Sequence, residues 1–145
     1  MPLSADKKRE VRPGPILGVP YPVAASTTIY SGALVCVNSS GYLVPAANDT
    51  TFECVGVAAE GVDNSSGANA AKYCTVQFLH VEEFPSSGIV QGDVGKSCYV
   101  IDDTTVGDDA AASKNVHVGT IVRLVSTNVV EVHILPRPAV TAQPT

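Results

Sequence analysis

The chain reads as all-β: a small β-sandwich or barrel with an extended proline-rich N-terminal arm. Three features say so. Short apolar runs rich in Val recur between clusters of Gly, Ser, Asn and Asp, the signature of strands joined by tight turns. No window repeats its apolar residues at the 3.6-residue spacing of an amphipathic helix. Pro2, Pro13, Pro15, Pro20 and Pro22 crowd the opening segment, where they withhold backbone donors and favour extended chain.

Residues 1–30 are the expected arm. Ile16, Leu17, Val19, Tyr21 and Val23 give it apolar character that a disordered tail lacks. Such a segment either lies across another surface or packs along its own domain, and composition does not separate the two. From Ser31 the pattern changes. Ala33 to Val37 and Tyr42 to Val44 form a hairpin around Asn38-Ser39-Ser40-Gly41, with Gly41 suited to a left-handed position and Pro45 ending the return strand. Phe52 to Ala58 is a strand, and the polar stretch Glu60 to Ala70 is a loop. Tyr73 to Val81 is a longer strand, ended by Glu82, Glu83, Pro85, Ser86, Ser87 and Gly88. Cys74, Val76, Phe78 and His80 share one of its faces. Lys96 to Ile101 is next, then an acidic turn region. Ala110 to Ser113 has room for one helical turn at most. Val116 to Val125 and Val129 to Leu135 form the last pair, and residues 136–145 are a tail with three more prolines. The body, residues 31–135, is thus the expected β domain.

The protein has 145 residues, the size of one ordinary domain. A chain this long buries roughly 70% of its unfolded surface and needs no covalent staples to hold a core. Cys36, Cys54, Cys74 and Cys98 lie 18, 20 and 24 residues apart with no CxxC or CxxH pair, so the local clip of a structural zinc site is missing. Each falls in an apolar run, and they read as small buried thiols of a protein kept reduced.

The net charge is −5. Lys7, Lys8, Arg9 and Arg12 outnumber Asp6 and Glu10 in residues 1–12, so the body is more acidic than the total and repels phosphate backbones. No nucleic-acid partner is expected. The opening residues lack the apolar core of a signal peptide, and no stretch reaches the roughly 18 apolar residues of a membrane helix. A protein made in the cytoplasm without membrane association is expected.

Catalysis needs a nucleophile or metal, a base, and something that holds them. His80, His117 and His133 are the three imidazoles, each inside an expected strand. No GxSxG elbow, HExxH pair or phosphate-binding glycine loop occurs. Asp102, Asp103, Asp108 and Asp109 lack EF-hand spacing and read as a solvated hairpin tip. Gly61-Val62-Asp63 echoes the trimeric dUTP pyrophosphatases, but the Tyr and Arg-Gly that should follow are absent. The expectation is no enzyme, no cofactor and no metal.

Four stretches carry a likeness. They are Ser31-Gly32-Ala33-Leu34-Val35 through Gly41-Tyr42-Leu43-Val44-Pro45-Ala46; Cys54-Val55-Gly56-Val57-Ala58-Ala59-Glu60-Gly61-Val62; Gly92-Asp93-Val94-Gly95-Lys96 with Tyr99 to Asp103 and Thr105-Val106; and Val118-Gly119-Thr120-Ile121-Val122-Arg123. In them the chain resembles the phage head decoration, or capsid cement, proteins over about two-thirds of its length. The proline-rich arm and the cysteines are not part of that pattern. The resemblance implies a non-enzymatic virion structural protein on the outer surface of an icosahedral head. It implies a homotrimer near threefold positions that clamps the major capsid protein lattice. An alternative is a virion-surface module that recognises carbohydrate or a host receptor, although a chain without Trp is poorly equipped for sugar stacking. For capsid or neighbour contact the arm offers Lys7, Lys8, Arg9, Arg12, Ile16, Leu17, Val19, Tyr21 and Val23. Removal of residues 1–22 is then expected to leave a folded body that binds poorly.

Overall fold

A computed structural model describes residues 17–108, 111–113 and 116–135. The chain forms β1 (Leu17–Pro22), β2 (Thr27–Ile29), β3 (Leu34–Val37), β4 (Leu43–Pro45), β5 (Glu53–Ala58), β6 (Val62–Asn64), β7 (Tyr73–Phe78), β8 (Val81–Ser87), β9 (Ser97–Val100), β10 (Val106–Gly107), β11 (His117–Ser126) and β12 (Val129–Ile134). One 3-10 turn at Gln91–Asp93 is the helical element among the described residues. The fold is all-β, as the sequence indicates.

The strands make three sheets. A central sheet runs β1-β7-β5-β3-β4, a closed five-stranded barrel runs β10-β8-β12-β11-β9, and β2 pairs with β6 alone. Alternation along β3 shows how they stack. Leu34 and Cys36 point into a larger core shared with Phe84, Val100, Val118, Ile121, Val130, Val132 and Ile134 of the barrel. Val35 points the other way, into a smaller core with Val23, Ile29, Leu43, Ala58, Cys74 and Val76. The central sheet is therefore a middle layer, with the barrel on one face and the β2–β6 pair on the other. Each fully buried aliphatic side chain contributes about 1.5–3 kcal/mol relative to exposure.

Residues 17–30 correct the expected arm boundary. β1 is an antiparallel strand of the central sheet, with Leu17 opposite Phe78 and Pro22 opposite Tyr73. The prolines are compatible because of the alternation. Val23 N–H donates to Lys72 C=O at 2.9 Å, so Tyr21, Val19 and Leu17 also turn their main chain toward β7. Gly18, Pro20 and Pro22 then face outward, where a missing donor costs nothing. The chain next crosses to β4: Val23 bridges Leu43, and Ala24 N–H donates to Leu43 C=O at 3.0 Å. This crossing partly closes the central sheet.

Three further differences have local causes. The expected strand Tyr73 to Val81 breaks at Leu79, which has φ 63 and is where the chain leaves the central sheet for the barrel. The residues expected to end it form β8 instead, including Pro85, which lies opposite Val129. Ser86 N–H donates to Asn128 C=O, so the Pro85 nitrogen faces the β10 side, and β10 starts pairing only at Ser86. The expected loop Glu60 to Ala70 contains β6, where Asp63 accepts hydrogen bonds from Ser65 N–H and Thr28 Oγ1. The Ser65 side chain, then the Ser65 N–H and, less, Thr28 hold the Asp63 carboxyl below its usual range. The hairpin at Asn38 forms as read. Gly41 has φ 86, and Asn38 Oδ1 accepts the Ser40 and Tyr42 N–H groups, each at 3.0 Å.

Barrel closure depends on β11, whose register with its two neighbours shifts three times. Such irregularities let a ten-residue strand bend around a small core. Gly119 lies beside one of them, and a Cβ there would overlap the His133 carbonyl oxygen of β12. Because that atom is backbone, it cannot swing aside. Gly119→Ala is expected to destabilise the protein by about 1–3 kcal/mol, read as a lower urea midpoint.

Candidate functional site

Lys7, Lys8, Arg9, Arg12 and Ile16 lie outside the described residues. Leu17, Val19 and Tyr21 belong to β1, opposite Phe78, Val76 and Cys74. Val19 is partly open to solvent, Tyr21 packs against the smaller core, and Val23 is fully buried at its centre. Val23 is thus no contact residue for a neighbour. Its apolar character serves the chain's own interior, as does much of Tyr21.

The topology assembles a different surface, one that the sequence reading does not contain. Leu79 N–H donates to Ile134 C=O and Ile134 N–H donates to His80 C=O, each at 2.8 Å. Val81 lies opposite His133. These bonds bring the β7–β8 link beside the end of β12, where Leu79, Val81 and Leu135 are 40%, 51% and 46% exposed. Leu17 is next to the same point through its pairing with Phe78. The first and last described stretches therefore meet at one end of the molecule, next to an exposed apolar group. His80 Nε2, 3.2 Å from Glu82 Oε1, borders it. Residues 17, 79–81 and 135 are far apart in the chain, so periodicity within one segment gives no signal for this surface.

No family model, curated protein or solved structure matches the chain. Function must be argued from the chemistry the fold presents.

That chemistry is sparse among the described residues. No three His, Cys, Asp or Glu side chains converge in a way that could hold a metal ion. His117 is 8% exposed, with Nε2 3.2 Å from Ser97 Oγ and its ring edge-on to Tyr99 at 5.8 Å. It is part of the barrel wall. Asp102 Oδ1 accepts the Thr104 and Thr105 N–H groups at 2.9 and 2.8 Å, so this carboxylate shapes the β9–β10 turn. A cavity of about 420 Å³ is lined by Asp93, Gly95, Lys96, Ser97, Tyr99, Asp108 and Ile121. Its carboxylates already have partners: Asp93 takes the Val90 N–H and sits 3.7 Å from Lys96 Nζ, and Asp108 takes the Ala111 N–H. Tyr30, 70% exposed, rims a cleft of about 210 Å³ with Asp103 and Thr104. That is below the roughly 300–1,000 Å³ typical of ligand sites.

All four cysteines are free and buried. Burial pushes the Cys98 thiol up to about 12. Cys74 is also raised, by burial and the nearby Glu60 carboxylate. Cys36 is raised first by its hydrogen bond with Cys54 and then by burial. A nucleophilic cysteine needs the opposite shift.

Proposed function

We propose that this protein is a phage head decoration protein, a non-enzymatic subunit that binds the outside of an icosahedral head and cements the major capsid protein lattice. The observation that carries the reading is the end where Leu79, Val81 and Leu135 stand exposed beside Leu17. A cementing subunit needs a rigid body and an exposed apolar area for a neighbour, and this end, where the first and last described stretches meet, offers such an area. The four sequence stretches that resemble the decoration family support the same reading. The sugar-binding alternative is less favoured, because the Tyr30 cleft is small and shallow. A homotrimer suits the proposal, since symmetric placement multiplies weak contacts.

The test uses heads that lack the protein. Purified protein added back is expected to decorate them in stoichiometric amounts, visible by electron microscopy, and to raise the temperature at which they release DNA. The double variant Leu79→Asp, Val81→Asp is expected to bind at least about tenfold more weakly, because each anchor removed from an interface centre costs on the order of 1–2 kcal/mol. Its own unfolding midpoint should hardly move, since both side chains are largely exposed. Undiminished binding by this variant would remove the proposed contact end. Failure of the unmodified protein to bind would remove the function.

A further inference from the structure

We propose that Cys36 and Cys54 are a covalent modification site: on meeting a disulfide oxidant they form a cross-strand disulfide within the central sheet. The inference does not depend on the capsid reading.

Cys36 of β3 lies directly opposite Cys54 of β5. Asn38 N–H donates to Tyr42 C=O and Ala46 N–H donates to Leu34 C=O, so even-numbered residues of β3 direct their main chain toward β4. Cys36 and Cys54 are therefore a non-hydrogen-bonded pair across β3 and β5. In a regular ladder such pairs have Cα atoms about 4.5 Å apart, inside the roughly 4.4–6.8 Å range that a disulfide spans; here the pair borders the irregularity between Val35 and Cys36. Both side chains belong to the larger core, where the neighbouring Cys54 thiol and then burial raise the Cys36 thiol above its usual range.

The register is also pinned. The β3–β5 pairing shifts between Val35 and Cys36, opposite Gly56 at φ 144. A side chain at Gly56 would collide with the Gln77 carbonyl of β7, so the strands pack too closely there for the irregularity to move easily. The other thiols are less well placed. Cys74 belongs to the smaller core. Cys98, on β9 of the barrel, shares the larger core and interacts electrostatically with Cys54, but no strand pairing sets it opposite either cysteine.

The chemistry balances with oxidised glutathione as oxidant. In the opened chain, where neither burial nor Cys54 holds the thiol protonated, the Cys36 thiolate attacks one glutathione sulfur, forming a mixed disulfide and releasing a glutathione thiolate. The Cys54 thiolate then displaces the second glutathione, and the Cys36 Sγ–Cys54 Sγ bond forms. Two cysteine thiols are oxidised, one glutathione disulfide is reduced to two thiols, and the two cysteine protons end on glutathione. With Cys36 and Cys54 at 0% and 4% exposure, the reaction in folded protein proceeds through local opening and is slow.

The experiment bypasses that slow step. The reduced full-length chain is unfolded and refolded to equilibrium in a buffer of oxidised and reduced glutathione, and then alkylated. Before alkylation the expected product is lighter than the reduced chain by two hydrogens, and alkylation then modifies only two cysteines. Cleavage after Glu53 should yield one cross-linked species that holds Cys36 and Cys54. Closing a loop of this length should also raise Tm by roughly 5–10 °C. Cys98→Ala should retain the cross-link and Cys54→Ala should lose it. Four free thiols, glutathione adducts, a different cysteine pair, or a cross-linked chain that melts no higher would each overturn the proposal. The peptide map of the unsubstituted chain decides the matter if a variant fails to fold.

Discussion

A chain that begins at Val23 is expected to lose cooperative folding, whereas one that begins at Leu17 keeps it. The second deletion leaves every described strand in place. The first removes β1, an entire edge of the central sheet. Its ladder bonds to β7 contribute on the order of 1 kcal/mol each, and the packing of Tyr21 over the smaller core goes with them. Val23, fully buried, would also sit at a chain start whose ammonium must be drawn toward the interior. Together these losses are comparable with the whole stability of an ordinary domain, about 5–15 kcal/mol. Urea titrations followed by circular dichroism decide it. Superimposable curves for the two truncations would show that β1 is dispensable, as the sequence reading of the arm supposes.

Phe84→Ala is expected to cost about 3–5 kcal/mol, or roughly 10 °C in Tm. Phe84 is 3% exposed and lies opposite Val130 in the β8–β12 pair, facing the larger core. Phe52 and Phe78 only border that core, so Phe84 is the aromatic side chain within it. Its neighbours are β-branched residues of a closed barrel, whose strands cannot collapse inward without breaking ladder bonds. The cavity therefore persists, and the upper half of the range applies. Val90→Ala, at a site 61% exposed, should change stability by less than about 0.5 kcal/mol and serves as the control. Equal urea midpoints for the two variants would mean that Phe84 is not a core residue.

What the sequence reveals here follows the range of its signals. The Asn38 to Gly41 turn is legible because Asn38 and Gly41 act on residues within four positions of themselves. Strands β3, β5, β9, β11 and β12 are legible because each carries its own apolar run. β1 and β8 are misjudged because proline argues locally against a strand, while the sheet asks only which way the missing donor faces. Leu79 breaks a pattern that continues through His80 and Val81, and only the passage from one sheet to another explains its left-handed backbone. The proposed contact end is the least legible of all. It gathers residues 17, 79–81 and 135 through long-range pairing, and no single stretch of sequence records it.

The outward row of β1 sets how copies of this chain can meet. Pro20 and Pro22 have no N–H to give, so Gly18 is the one outward donor of that row, and at β4 the crossing chain takes the Leu43 carbonyl. A second molecule finds almost no main-chain template on which to extend either side of the sheet. The central sheet is therefore a poor template for the strand addition that seeds fibrils. Association at these edges must instead go through side chains, patch against patch. Contacts of that kind release one at a time, so an assembly made through them can lose one copy without unravelling the next.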